Sequence, residues 1–176
     1  MVTVNLYPVA NGSYQQCYSQ YPSSGYHWDK LSTNDGLSSY VDSARYGGTT
    51  LYETYKFTFP AGIYSKVVLT FVATDLYGTY GHYSNIGAHV RSGGSGYSES
   101  LEPLNYTKWT TYTYTYNQNP VTGLDWGVID GNDVEFGFKG WQCCTNENIL
   151  VTLLYLTVTY IPIGGGGAQI IGLSDI

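Results

Sequence analysis

The chain has 176 residues, with seven Lys and Arg against thirteen Asp and Glu and a formal charge of -6. Cations scattered singly form no basic stripe for a phosphate backbone, which argues against nucleic-acid binding, and they serve an anionic membrane surface no better. The length is that of one domain able to bury roughly 70% of its unfolded surface, and the longest strongly apolar run, Ile149 to Leu156, is far short of the ~20 residues a transmembrane helix needs.

Only 11% of residues are charged, while 22 Gly and 20 Tyr stand out. Tyr and Thr suit a half-buried strand face and Gly supplies positive φ in turns, so the composition is that of pleated sheet and tight bends. The opening MVTVNLYPVANGSYQQ has neither a basic n-region nor an apolar h-region, and no secretory leader is expected in it. Period-two alternation then recurs between clusters of Gly, Pro, Asn and Asp. It predicts strands near Thr3 to Tyr7, His27 to Ser32, Ser39 to Val41, Thr50 to Phe59, Ser65 to Thr74, Asn85 to Arg91, Lys108 to Tyr116, Val134 to Gly140 and Ile149 to Ile161. Short strands at this spacing suit two packed antiparallel sheets, an all-β, jelly-roll-like sandwich over residues 1–161.

The alternation also predicts faces. Leu51, Glu53, Tyr55, Phe57 and Phe59 point one way, and Tyr112, Tyr114 and Tyr116 share another face. In VTLLYLTVTY, Leu154, Leu156, Val158 and Tyr160 form the core face, opposed to Val151, Leu153, Tyr155, Thr157 and Thr159. Gly93 to Gly96 reads as a hairpin turn. Between Asn119 and Gly131 the alternation stops, and a turn followed by a short helical turn would let Trp126 cap one end of the sandwich.

Residues 162–176 form a separate unit. Gly164, Gly165, Gly166 and Gly167 make a flexible joint, followed by an apolar arm carrying Ile170, Ile171, Leu173 and Ile176. Ordering about nine residues costs roughly 9–18 kcal/mol, whereas burying four aliphatic side chains returns about 6–12 kcal/mol. The arm therefore needs a docking groove, and a neighbouring subunit's sheet edge, joined by strand addition, is where it is expected to lie.

Several constellations invite chemistry. Cys17 with either Cys143 or Cys144 is the plausible disulfide, since adjacent cysteines fit ordinary disulfide geometry poorly with each other; three separate thiols are the alternative. The vicinal pair lacks the spacer of a zinc knuckle. Asp125, Asp130, Asp133 and Glu135 form the acidic cluster a calcium ion would choose, although the regular D-x-D-x-D-G spacing is missing and turn formation explains such residues equally well. His27, His82 and His89 are not accompanied by a nucleophile elbow, an HExxH pattern or a phosphate-cradling loop. No enzyme activity and no cofactor are expected. The sequons at Asn11 and Asn105 are read as chance in a chain so rich in Ser and Thr. Trp109, Tyr112, Tyr114 and Tyr116 could form a platform that stacks on sugar rings, and surface glycans are the corresponding partner.

With NLYPVANGSYQQ, TKWTTYTYTYNQNPVTGLDW, DVEFGF and VTLLYLTVTY in view, the chain resembles small β-sandwich proteins of tailed phages, most specifically over Asn119 to Trp126 and Val151 to Tyr160. The resemblance implies a non-enzymatic structural subunit on the virion surface, a head decoration or fibre-like protein that assembles with copies of itself or other virion proteins. It supplies no catalytic residue. Two rival readings use the same sandwich: a cellular extracellular filament or pilus subunit joined by donor-strand exchange, and a carbohydrate-binding adhesin module.

Overall fold

The computed structural model describes residues 1–43, 48–75, 84–106, 108–142 and 148–163. Among them are the strands β1 (Val2–Leu6), β2 (Pro8–Gln15), β3 (Ser19–Tyr21), β4 (Tyr40–Asp42), β5 (Thr49–Phe57) and β6 (Gly62–Asp75). The remainder are β7 (Asn85–Ser92), β8 (Ser95–Ser98), β9 (Glu102–Pro103), β10 (Thr110–Tyr116), β11 (Val134–Gln142) and β12 (Ile149–Pro162). Two short 3-10 helices, His27–Lys30 and Gly36–Ser38, complete the described elements. One sheet runs β10-β6-β12-β4-β3 with β1 also on β12, and the second runs β2-β5-β11-β7-β8 with β9 also on β7. The strand pairings are antiparallel throughout. The long strands alternate between sheets along the chain: β5 lies in the second, β6 in the first, β7 in the second, β10 in the first, β11 in the second, β12 in the first. No two of these six that follow one another in the chain pair with each other, the connectivity expected of a jelly-roll-like sandwich.

Between the sheets lies one core. Val67, Leu69 and Phe71 of β6 and Leu154, Leu156 and Val158 of β12 face Tyr55 and Phe57 of β5, Phe136 and Phe138 of β11, and Ile86, Ala88 and Val90 of β7. Phe71 and Phe138, one from each sheet, bring their rings to 6.2 Å. Trp126 closes one end as expected: it is buried, its ring lies 5.9 Å from Phe136, and its Nε1–H donates to the Tyr116 carbonyl at 2.9 Å. Turns, not a helical turn, carry the chain through this region.

Two expectations change. His27 to Ser32, read as a strand, opens instead with the first 3-10 helix. The Asp29 carboxylate accepts the Tyr26 N–H at 3.1 Å and the Asp29 N–H donates to the Tyr26 carbonyl, local bonds that compete with a sheet ladder. Val151, expected to face away from the core, is fully buried in it. A register shift between Val151 and Leu153 marks a bulge at Thr152 that re-phases the alternation. The Thr152 hydroxyl is satisfied there by the Ser39 carbonyl at 2.7 Å. In addition β2, a stretch in which the alternation predicts no strand, pairs with β5 at the edge of the second sheet, its irregularities taken up by register shifts on either side of Asn11. The hairpin at Gly93 and Gly94 forms as expected, with φ of 57° and 84°, the left-handed pair a two-residue turn requires.

Candidate binding face on the second sheet

Because side chains alternate along a strand, the outward face of the second sheet is set by register. It carries Thr50, Tyr52, Thr54 and Lys56 from β5, Glu135, Gly137, Lys139 and Trp141 from β11, and Asn85, Gly87, His89 and Arg91 from β7. Tyr52 stands beside Lys139, Thr54 beside Gly137, Gly137 beside His89, and Glu135 beside Arg91. β5 and β7 flank β11 and are therefore about 9.5 Å apart, yet the rings of Tyr52 and His89 approach to 4.8 Å. Gly137, the register partner of His89 on the intervening strand, adds no side chain beside this contact. Tyr14 from β2 joins the cluster at 5.5 Å from Tyr52 and 5.7 Å from His89. The Arg91 guanidinium sits 4.9 Å above the Tyr14 ring, and the Lys139 ammonium 5.9 Å from the Tyr52 ring. Tyr14, Tyr52 and Trp141 are half-buried, so their rings are held by packing but reach solvent. At the Phe57 end of β5 a cleft of about 360 Å³ opens between Val9, Lys56, Phe59 and Asn132.

Glu135 locks one side of the face. Its Oε1 accepts the Ser13 hydroxyl at 2.6 Å, and its Oε2 accepts the Ser13 N–H at 2.8 Å, the Thr54 hydroxyl at 2.7 Å and an Arg91 guanidinium N–H at 3.2 Å. Burial pushes its carboxyl pKa up, but the bonds from Ser13, Thr54 and Arg91 outweigh that and hold it below the usual range. Four strands are thereby tied through one side chain.

His89 is 4% exposed, with Nδ1 2.8 Å from the Ser98 hydroxyl and a buried Nε2 that has no hydrogen-bond partner. Burial, and then the charges of Arg91 and Lys139, push its pKa down to about 4. The folded protein thus keeps His89 neutral where the unfolded chain, titrating near 6.5, takes up a proton. Stability is therefore lost as pH falls from about 6.5 towards 4. Urea unfolding of the wild type is expected to weaken by about 1 kcal/mol between pH 7 and pH 5, allowing for partial solvent screening. His89→Gln should lack that share of the loss, and an equal pH dependence in both proteins would refute the assignment.

The residues singled out by sequence fall elsewhere. Tyr112 and Tyr116 are buried, and Tyr112 and Tyr114 stack on Phe71 at 5.5 and 5.8 Å, because β10 sets Tyr112, Tyr114 and Tyr116 opposite Phe71, Leu69 and Val67. The tyrosine row belongs to the interior and not to an exposed platform. Trp109 lies on the opposite alternation, beside Gly36 of the second 3-10 helix. The acidic cluster does not assemble: Asp125 accepts from the Gln118 amide, Asp130 from the Asn132 N–H, and Glu135 is committed as above. Among the described residues no three His, Cys, Asp or Glu side chains gather as a metal site. Cys17 is a buried free thiol; its proposed partners Cys143 and Cys144 lie outside the described residues, as do His82 and the arm from Gly164 to Ile176.

One grouping of catalytic residue types does form. The Glu53 carboxyl, fully buried, accepts the Cys17 N–H at 2.9 Å and lies 2.8 Å from His27 Nδ1. Burial, followed by the charges of Glu53 and Asp42, raises the Cys17 pKa well above that of an ordinary thiol. A raised pKa disfavours the thiolate, the form in which a cysteine acts as a nucleophile.

No protein-family model matches the chain, and no curated protein matches it. Among solved structures the fold is similar to the xylan-binding module CBM15, with a TM-score of 0.51 and 16% identity over 90% of this chain and 97% of that one. Weaker likenesses include a family 16 carbohydrate-binding module, at TM-score 0.42 and 14% identity over 69% of this chain and 78% of that one. The CBM22-1 xylan-binding domain from Paenibacillus barcinonensis gives 0.43 and 8% over 75% and 79%. At such identities the likeness is one of fold, and the chain is an antiparallel β-sandwich of the architecture seen in the xylan-binding module.

Proposed function

We propose that the chain is a non-catalytic carbohydrate-binding module that receives a glycan on the outward face of its second sheet. The observation that carries this reading is the cluster of Tyr14, Tyr52 and His89 beside Trp141. The rings of Tyr14, Tyr52 and Trp141 are half-exposed there, and the buried His89 ring packs against both tyrosines and holds them in place. Aromatic rings offer an apolar face to a sugar's C–H surface while the polar groups beside them meet its hydroxyls. The sandwich fold shared with a xylan-binding module supports the reading. The same face argues against hydrolysis. A glycosidase needs two carboxyl groups at a defined separation, whereas the outward positions of β5, β7 and β11 carry one, Glu135, already engaged by Ser13, Thr54 and Arg91. The particle-surface setting implied by the phage resemblance has no counterpart among the neighbours named above, and this reading does not depend on it.

Affinity electrophoresis against a panel of soluble plant and microbial polysaccharides tests the proposal. Retardation by at least one polymer is expected. Tyr52→Ala and Trp141→Ala should each weaken it about tenfold or more, the effect of removing a stacking ring from a small site, while Thr113→Ala on β10 leaves it unchanged. Migration unaffected by every polymer, or full binding by the Tyr52→Ala, Trp141→Ala double variant, would sink the reading.

A further inference from the structure

The charge on this face runs against that of the molecule. Overall the chain is acidic, with a formal charge of -6 and only seven Lys and Arg. Three of those seven, Lys56, Arg91 and Lys139, occupy outward positions of β5, β7 and β11, against the single carboxylate of Glu135. Arg91 spends its charge on that carboxylate at 3.2 Å. Lys139 has no carboxylate within ion-pair distance among the described residues and stands over the Tyr52 ring at the centre of the face. An aromatic ring beneath an ammonium holds it in place without neutralising it. A cation so placed, in a protein whose far field repels anions, is set to meet a negative group carried by whatever lies on the ring.

We infer that the glycan bound here is acidic, a polysaccharide bearing uronate carboxylates, with Lys139 pairing one carboxylate while Tyr52 carries a sugar ring. The inference rests on the glycan-binding reading above and narrows it to a substrate class. Lys56, four residues along β5 from Tyr52 and therefore about 13 Å away, extends the same charge preference towards the edge of the sheet. Glu135 does not cancel it, because its charge is already shared among Ser13, Thr54 and Arg91.

The test is a matched pair of ligands: a glucuronate-bearing xylan and the same polymer after chemical reduction of its carboxyl groups, both titrated calorimetrically into the intact protein at one fixed low ionic strength. The acidic polymer is expected to bind about three- to fivefold more tightly, the scale of one solvent-exposed ion pair. The ratio of the two affinities should fall towards one in Lys139→Gln and persist in Lys139→Arg. Equal affinity for the two polymers, tighter binding of the reduced one, or an unchanged ratio in Lys139→Gln overturns the inference while leaving glycan binding intact. Failure of both polymers, together with every member of the polysaccharide panel, overturns the parent reading as well.

Discussion

Gly137→Ala is expected to lower the melting temperature by about 6–12 °C, the equivalent of about 3 kcal/mol in a chain of this length. A Cβ at this position would run into the Glu53 carbonyl of the neighbouring strand and stand 2.8 Å from the Thr54 Cα. Both obstacles are backbone, so no rotamer change relieves them. β11 would have to part from β5 at the Gly137 and Thr54 pair, and the residues on either side, Phe136 and Phe138, are fully buried in the core and cannot follow. The substitution reaches the outward face too, because Gly137 is the register partner of His89, whose ring lies 4.8 Å from that of Tyr52. Thermal unfolding by circular dichroism, with the exposed Thr113→Ala as control, checks the prediction. A loss of less than about 2 °C would mean that the two strands do not approach as closely as described.

Gly137 also shows where sequence reading stops. The alternation in LYETYKFTF set Leu51, Tyr55 and Phe57 on one face, the face the structure buries, which leaves Tyr52, Thr54 and Lys56 on the other. What it could not supply was the order of strands in the sheet. Tyr52, Gly137 and His89 are separated by dozens of residues and become neighbours only because β11 inserts between β5 and β7. The Tyr112, Tyr114 and Tyr116 row failed for the complementary reason. Period two shows that three tyrosines share a face but not which face, and pairing with the wholly apolar inner row of β6 turned them inward. Local hydrogen bonding likewise overrode pattern at His27–Lys30, where Asp29 organises a 3-10 turn from a stretch that alternates like a strand. The sandwich itself was legible because composition, turn residues and alternation all point the same way. The site was not, because it is a product of topology.

Glu53→Ala is expected to cost about 3–5 kcal/mol, for reasons that join the core to the binding face. Glu53 lies on the inward side of β5 and is fully buried, so its removal leaves a cavity. It also removes the acceptor of the Cys17 N–H at 2.9 Å and the partner of His27 Nδ1 at 2.8 Å. Glu53→Gln keeps one acceptor oxygen in nearly the same volume and should cost about half as much. His27→Ala removes a partly exposed ring and should cost less than Glu53→Ala, with a coupling of about 1 kcal/mol or more between the two sites in a double-mutant cycle. Chemical denaturation at neutral pH of the wild type and these variants measures the costs, and a Glu53→Ala cost below about 1 kcal/mol would show that the buried carboxyl is not bridging these groups. Through these bonds the segment after β2 and the first 3-10 helix are pinned to the inner side of the strand whose outer side presents Tyr52 and Thr54. If that pinning serves only the scaffold, Glu53→Gln should unfold more readily yet, at a temperature where it remains folded, bind its polysaccharide as the wild type does. Weakened binding by the folded variant would instead mean that the position of β5 relative to β11 sets the spacing of Tyr52 and His89.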